Sequence, residues 1–311
     1  MRTKKEFLKE YLNWFWLRPE NAVLLAFCGE KYANTFQYFT EQSIDVSCGD
    51  GVFSFIAGGG QLTSDVDMFQ VLDLSQAREN DFDTYDHFDA SYKPTVQKPA
   101  DFIYEYGSDW KPNLIEKSRA LDFYKNLLVH DNNQVLSFDD NRFDYVYSNS
   151  SYWVKNFREH INDLVRITKP GGHIVLEMKT KEIERFSSFN YAQPLMGNTF
   201  SNIIDAGRLQ SWHGLQTLAE CDKFVGDIKA VEIVSREPIY GDIMAYIWDI
   251  GLRPIFNPLV KLANNVDPKI RQEVKVEWCE TIYNLMSDFV ENYEPREESA
   301  IEWIYVLQKE A

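Results

Sequence analysis

The sequence predicts an α/β fold in which a mostly parallel sheet carries helices on both faces. At residues 43–53, a short apolar segment leads through an acid into a glycine-bearing turn and a short helix. At residues 143–178, a strand, an amphipathic helix, a tight turn and a second strand follow one another, as in a parallel α/β unit. Glycine lacks a Cβ, so the first turn lets backbone N–H groups approach a ligand at the positive end of the helix.

Two aromatic-rich helices are predicted ahead of the first strand, over residues 5–16 and from Asn21 to about Phe39. Pro19 separates them. We expect residues 1–42 to form a helical lid over the ligand, with a cap on the sheet edge as the alternative. Residues 43–311 then form the main domain.

The main domain is predicted to carry two insertions, at about 59–100 and 241–299. The first is rich in acids and aromatics, without the spacing of a calcium-binding loop. The second is expected to be helical. We interpret both as segments that cover or line the pocket, the alternative for the first being a solvated loop.

The alternation of strands and helices continues along the rest of the chain. Helices are predicted from Pro112 to about Leu121, from Asn156 to Ile167 and from Leu215 to Phe224. The first strand opens residues 43–53. The six strands predicted after it are Phe102–Tyr106, Leu127–Val129, Tyr145–Tyr147, Ile174–Met178, Ala230–Val234 and an antiparallel Trp303–Leu307, which makes seven.

Composition excludes several classes of protein. The chain has 311 residues and a net charge of −16, so phosphate backbones and anionic lipids are repelled, and neither nucleic acid nor a membrane is an expected partner. Its four cysteines form no Cys-x-x-Cys pair, so no metal site is predicted. There is no signal-peptide pattern, and no apolar run approaches 18 residues. We therefore expect a cytoplasmic protein, with a homodimer as one form.

Four motifs occur in a fixed order: an acid-x-x-x-Gly-x-Gly turn at 45–51, Gly107-Ser108-Asp109, residues 136–144, and a Lys-Pro-Gly-Gly turn at 169–172. In this set the sequence resembles the class I (Rossmann-like) S-adenosylmethionine-dependent methyltransferases, over roughly residues 43–58 and 102–178. The resemblance implies that family's fold, a seven-stranded sheet, with S-adenosyl-L-methionine as cofactor and S-adenosyl-L-homocysteine as product.

The resemblance also assigns cofactor-binding residues. Asp45 would hold the methionine amino group, and the turn would be formed by Ser47, Gly49 and Gly51, with Ser47 standing where the family usually has a third glycine. Asp109 is the predicted ribose ligand, because a carboxylate can accept hydrogen bonds from both hydroxyls of a diol. It lies 64 positions after Asp45, where roughly 20 is usual. The first insertion accounts for the excess.

Further candidates lie at the ends of the second, third and fourth strands. Glu105 is the rival of Asp109 for the ribose. Trp110 is placed to lie against the adenine, with core packing as the alternative. Asp131 and Asn132 both fit the adenine-edge position and stay open. Asn149 ends the fourth strand in an Asn-Ser-Ser-Tyr segment that lacks the two prolines typical of nucleic-acid amino-methyltransferases.

Methyl transfer needs proximity, alignment and often removal of a proton from the acceptor. His213 is the candidate base, because it is predicted to begin the helix after a variable loop; Tyr152 is the second catalytic candidate. The acceptor is expected to be a small or sugar-like molecule methylated on oxygen or nitrogen. An anionic acceptor is one expectation, based on the basic residues of that loop: Lys179, Lys181, Arg185 and Arg208.

Two other functions stay open at this point. An NAD(P)-dependent oxidoreductase shares the strand–glycine–helix pattern, but its third glycine would fall at Ser54. A non-catalytic protein that binds S-adenosylmethionine would keep the same acids.

Overall fold

The computed structural model describes residues 2–74, 86–89, 91–187, 193–199, 202, 211–250 and 255–310. Nine strands are labelled in chain order: β1 Ser43–Val46, β2 Gln61–Leu62, β3 Val96–Lys98, β4 Tyr104–Asp109, β5 Tyr124–Val129, β6 Phe143–Ser148, β7 Thr168–Lys179, β8 Val231–Gly241 and β9 Ala300–Lys309. Ten helices are labelled likewise: α1 Lys4–Trp14, α2 Pro19–Ala33, α3 Val52–Ala57, α4 Pro112–Ser118, α5 Phe157–Ile167, α6 Glu182–Phe186, α7 Leu218–Asp227, α8 Asp242–Ile250, α9 Phe256–Asn264 and α10 Pro268–Asn292.

The main sheet has seven strands in the order β5-β4-β1-β6-β7-β9-β8. Strands β5, β4, β1, β6 and β7 are parallel, and β9 runs antiparallel to both of its neighbours. The predicted α/β fold of the Rossmann-like methyltransferases, with an antiparallel last strand, is confirmed. The order places β1 between β4 and β6, so the carboxyl ends of these three strands lie side by side.

Several predicted boundaries differ from the observed ones. The Lys-Pro-Gly-Gly turn lies inside β7, where the register with β6 shifts and Gly171 has φ +79°, so it is a bulge in one long strand. The predicted helix at Leu215 begins instead at Leu218, because Thr217 and Glu220 form a capping box at its start. The second predicted helix ends as α-helix at Ala33 and continues as a 3-10 turn, Asn34–Tyr38.

Each face of the sheet has its own hydrophobic core, as the alternation of side chains along a strand requires. One core joins Ile44, Val146 and Ile174 to residues of α5 and α7. The other joins Tyr104, Tyr145, Tyr147 and Val175 to the N-terminal helices and α3, and it includes residues of both predicted insertions.

The N-terminal helices pack against this second face. The ring of Tyr32 on α2 stacks on Tyr147 with centroids 3.7 Å apart, and its hydroxyl hydrogen-bonds that of Tyr104. Thr35 Oγ1 lies 2.8 Å from the Tyr145 hydroxyl. These contacts place α2 across the sheet face rather than along an edge. The boundary at residue 42 and the role of a lid stay predictions.

The two predicted insertions contact each other. Arg271 on α10 bonds Asp67 in the first insertion at 2.6 Å, and Phe69 packs edge-on against Phe256 of α9 at 5.6 Å. Lys275, which is buried, donates to the Ser64 carbonyl at 3.1 Å. The second insertion is helical, as predicted, and cover of the pocket by both segments stays a prediction.

A buried ionic cluster lies beneath α2. Lys179 donates to the carboxylate of Glu302 opposite it on β9, and the Tyr147 hydroxyl donates to Glu177 Oε1 at 2.7 Å. The ligand atoms of Cys28, Glu177 and Glu302 lie within 4.8 Å of one another. Burial and the charge of Glu302 raise the pKa of Glu177 to about 8, so the Glu177 carboxyl group keeps its proton at neutral pH while the Lys179 ammonium bonds Glu302. The predicted absence of a metal stays a prediction.

We predict that Glu177→Gln removes a pH-dependent loss of stability. The carboxyl group is protonated in the folded chain up to about pH 8 but ionises near its ordinary pKa of 4.5 when unfolded. Its contribution to the free energy of unfolding therefore falls as pH rises, by up to about 1.4 kcal/mol per unit between pH 5 and 8. Urea denaturation of both proteins over this range should show the variant gaining on the wild type as pH rises. The exposed Glu291→Gln is the control; a gain independent of pH would contradict the assignment.

Candidate cofactor-binding site

In the turn after β1, every second residue from Ser47 to Gly51 has a left-handed backbone conformation. Ser47, Gly49 and Gly51 have φ values of +69°, +60° and +78°. Ser47 thus adopts the backbone conformation that favours glycine, at a cost of about 1–2 kcal/mol. A Cβ on Gly51 would lie 2.8 Å from Tyr124, so this position requires glycine for its φ and for the close approach of that ring. The turn then leads directly into α3.

Asp45 lies next to the end of β1 and is 1% exposed. The Tyr124 hydroxyl donates to its Oδ2 at 2.8 Å, and the Ser54 side chain also hydrogen-bonds it. Burial nevertheless raises the pKa of Asp45 to about 6, and the nearby charge of Asp109 adds to the rise. Burial removes water from the Asp45 carboxylate. An ammonium group bound beside it would take the place of that water and stabilise the ionised form. Ser54 also stands where an oxidoreductase fingerprint needs its third glycine.

Asp109 ends β4 and ties two loops together. Its Oδ2 accepts from the Gly49 N–H at 3.1 Å and its Oδ1 from the Lys111 N–H at 2.9 Å. Burial raises the pKa of Asp109, although both N–H groups favour the ionised form. Each oxygen keeps acceptor capacity, because a carboxylate offers about four lone-pair directions. Asp109 therefore lies against the glycine turn, as the resemblance implies.

Two alternatives for the end of β4 are decided by the structure. Glu105 is four residues inside the strand, roughly 13 Å from its end, and it pairs with Arg142. It does not reach the turn. Trp110 is 63% exposed, which excludes core packing. The Lys111 ammonium lies 5.1 Å from its ring centroid, and the same ammonium bonds Asp86 of the first insertion at 3.0 Å.

The loop after β5 brings Asn132, rather than Asp131, to the turn. The Asn132 amide donates to the Ser47 hydroxyl, and its Oδ1 is buried with no partner among the described residues. Asp131 is exposed, and its carboxylate holds the Asn133 N–H at 2.9 Å. The pKa of Asp131 is lowered chiefly by that hydrogen bond. The geometry therefore favours Asn132 as the adenine-edge residue.

The segment after β6 lies on the other side of the turn. Asn149 is half-buried and follows Ser148, which pairs with Val46 at the end of β1. Tyr152 is half-buried, and the Lys179 ammonium lies 5.0 Å from its ring centroid. Burial raises the pKa of Tyr152, while the charge of Lys179 opposes that rise.

Three of the four basic residues that the sequence assigned to the variable loop are paired with acids. Lys179 is 5% exposed and bound to Glu302, so it is not the exposed anion ligand that the sequence suggested. Lys181 lies 3.8 Å from Glu220, and Arg185 lies 3.7 Å from Glu182. Arg208 lies outside the described residues. His213 is exposed and precedes α7 by several residues rather than beginning it. Its role as base stays a prediction.

Buried polar atoms without a protein partner gather near these strand ends. Among the described residues they include Ser108 Oγ on β4, Ser148 Oγ on β6, Ser151 Oγ just beyond it and Asn132 Oδ1. Such atoms are normally satisfied by water or a ligand. Together with two carboxylates of raised pKa, they fit a ligand that carries an ammonium group and several hydroxyls.

Sequence reasoning missed the residues that orient these groups. Tyr124 contacts Gly51 and Gly107 and reaches Asp45, but a tyrosine inside a strand carries no signal of that role. Ser54 was noted only as a missing glycine. Lys111 lies two residues after the predicted Asp109, and this closeness to the motif was the available hint.

Comparison with known proteins agrees with this geometry. Residues 93–176 match the family model described as a methyltransferase domain, and this range holds Asp109, Asn132 and Asn149. The demethylmenaquinone methyltransferase of Bacillus mycoides (strain KBAB4) is 30% identical over 107 residues, 31% of this chain and 45% of that protein. The protein of the same name from Shouchella clausii (strain KSM-K16) is 32% identical over 124 residues, with 36% and 52% covered. The chain thus spans about half the length of the curated relatives it matches.

Among solved structures, the chain is similar to one described as the complex between the Haloferax volcanii Trm112 methyltransferase activator and the putative methyltransferase. It shows 15% identity and a TM-score of 0.45, with 91% of this chain and 89% of that chain covered. The predicted resemblance to class I methyltransferases is confirmed by the matched domain and the strand order. Among the described residues, no helix has the length and apolar character that a membrane crossing requires.

We predict that Gly51→Ala disrupts the site. The added methyl group would force a positive φ on alanine and push Tyr124 away from Asp45. A loss of about 1–3 kcal/mol in the free energy of unfolding should accompany weaker ligand binding. Gly226→Ala in α7 is the matched control, since nothing lies within 4 Å of its added Cβ, and it should stabilise by up to about 1 kcal/mol. Equal stability of the two variants in urea would show that the turn is not strained as described.

Proposed function

We propose that this protein is an S-adenosylmethionine-dependent methyltransferase acting on a small-molecule acceptor. The observation that carries the proposal is the convergence of Asp45 and Asp109 on one glycine turn. Both are buried, both have a raised carboxyl pKa, and Asp109 accepts the Gly49 N–H. The methyltransferase domain matched over residues 93–176 supports the same reaction class.

Asp45 would hold the amino group of the methionine moiety, and Asp109 would accept from the ribose hydroxyls. Asn132 and Trp110 would flank the adenine, while Asn149 and Ser148 lie on the opposite side of the turn, where the methyl group would face the acceptor. When bound, S-adenosylmethionine supplies an electrophilic methyl group. The residues of this chain then bind and align both partners and exclude water.

The acceptor binds, in this proposal, between the segment after β6 and the end of β7. The acceptor atom is an oxygen or a nitrogen that loses its proton as the new bond forms, with Tyr152 and His213 as the candidate proton acceptors. The relatives are named demethylmenaquinone methyltransferases. A quinol therefore belongs in the acceptor panel beside phenols, amines and carboxylated molecules, with the methylated atom read from the product by mass spectrometry and NMR.

We predict that Asp109→Ala weakens binding of S-adenosylhomocysteine about tenfold or more. The change removes hydrogen bonds to a charged group, which contribute about 1.5–3 kcal/mol. Calorimetry with Glu105→Ala as the matched control should show unchanged affinity for the control, since Glu105 pairs with Arg142 inside the strand. NAD(H) in the same titrations should not bind. Unchanged affinity in Asp109→Ala, or tight binding of NAD(H), would overturn the proposal.

We also predict that this affinity falls in acid because of Asp45. Below about pH 6 its carboxyl group is protonated in the free protein and cannot balance an ammonium group. Affinity should therefore drop about fivefold as pH falls from 6 to 5, because the ionised fraction falls from about one half to about one tenth, and stay nearly flat from 7 to 8. Asp45→Asn should bind weakly at every pH, without this slope. An identical slope in the variant would assign the effect to another group.

A further inference from the structure

A cluster of aromatic rings lies beyond the end of β6, and only one of its members, Tyr152, has a role in the assignments above. Tyr152 and Trp153 follow β6 in the 3-10 turn Ser151–Trp153, and their ring centroids are 5.7 Å apart. Trp212 stands edge-on to both, at 5.5 and 5.9 Å with interplanar angles of 89°. The Tyr152 and Trp153 rings are tilted by 37° to each other, and the Trp212 ring is perpendicular to both. We call these three rings the aromatic corner. Its arrangement fits a flat ligand ring that places its face on one ring and its edge on another.

The corner is held in place from behind. The Lys179 ammonium lies 5.0 Å from the Tyr152 centroid and 5.9 Å from that of Trp212, and Glu302 fixes its position. Trp248 stacks on Trp212 at 6.1 Å and 16°. Cation–π contacts of a desolvated ammonium are stronger than exposed ones, so these rings keep one arrangement. Lys179 is thus a positioning residue that faces inward, not a ligand for an anion.

One ring of the corner, that of Trp153, is exposed to solvent. Trp153 remains 45% exposed although it contacts the cluster, whereas Trp212 is 5% exposed. Ser151 Oγ in the same turn is buried and has no partner among the described residues. An exposed indole beside an unsatisfied hydroxyl matches a flat apolar ring that bears one polar substituent.

The aromatic corner and Trp110, which is assigned to the adenine, lie on different sides of the glycine turn after β1. Strand β1 pairs with β4 on one side and β6 on the other. Trp110 follows β4 and Trp153 lies beyond β6, so the two exposed tryptophans flank the turn on opposite sides. Trp110 is assigned to adenine, which leaves Trp153 for the acceptor.

We propose that Tyr152, Trp153 and Trp212 form the acceptor site, and that the acceptor is a planar aromatic molecule with a hydroxyl substituent. Its role as an acceptor site rests on the proposed methyltransferase function. The stacking surface itself does not, because it follows from the ring geometry alone.

The test uses calorimetry to compare 2-naphthol with decahydro-2-naphthol, which has the same carbon skeleton and hydroxyl group but is not aromatic. Each probe is titrated with and without S-adenosylhomocysteine. We expect 2-naphthol to bind at least about tenfold more tightly, because stacking on indole needs a flat ring. Trp153→Leu should lower 2-naphthol affinity about tenfold and leave S-adenosylhomocysteine affinity within about twofold. Trp110→Leu is the matched control and should show the reverse pattern. Trp153→Phe should retain most of the 2-naphthol affinity.

Equal affinities for the two probes, no binding of 2-naphthol, or an unaltered affinity in Trp153→Leu would each overturn the inference. Failure of the proposed function is distinguishable. If S-adenosylhomocysteine does not bind the wild type while 2-naphthol discriminates as expected, the methyltransferase proposal fails and the aromatic site stands. If S-adenosylhomocysteine binds but the probes are not discriminated, only the aromatic acceptor is rejected.

Discussion

The site depends on the hydrogen bonds that Asp109 accepts from the backbone of two loops. Its carboxylate joins the Gly49 N–H of the turn after β1 to the Lys111 N–H of the loop after β4. The turn has three residues of positive φ, one of them a serine, so it needs such ties to persist. Asp45 lies within the same desolvated region, and the charge of Asp109 makes the Asp45 carboxyl group harder to ionise. A ligand with an ammonium group and hydroxyl donors would offset the cost of burying both carboxylates, so the arrangement fits such a ligand.

A second buried ionic group lies beside the proposed acceptor site. One ammonium, Lys179, serves Glu302 directly while Glu177 retains its proton, so the cluster stays close to neutral inside the core. The same ammonium lies against the rings of Tyr152 and Trp212. The Lys179 ammonium therefore links four parts of the structure: strands β7 and β9, helix α2 and the aromatic corner. The corner itself reaches the surface.

The sequence was sufficient for the features that local pattern dictates. The alternation of strands and helices followed from the succession of apolar segments, and the place of Asp109 from the Gly-x-Asp motif at a strand end. Local pattern could not reveal contacts made across the sheet. The local pattern predicts that Lys179 is a solvent-facing residue of a basic loop. In the structure, β9 brings Glu302, 123 positions later in the chain, against its ammonium group. Tyr124 is likewise 79 positions from the Asp45 carboxylate that it serves. His213 was misplaced because the capping box at Thr217, not the apolar periodicity, sets the start of α7.

A crystal structure of the protein with S-adenosylhomocysteine would test the central claim most directly. We expect the ligand's amino group within hydrogen-bond distance of the Asp45 carboxylate, and its ribose hydroxyls donating hydrogen bonds to the Asp109 carboxylate. Its adenine should lie between Trp110 and Asn132, and its sulfur should face the segment from Asn149 to Trp153. A ribose held elsewhere, or a ligand absent from the glycine turn at saturating concentration, would contradict it.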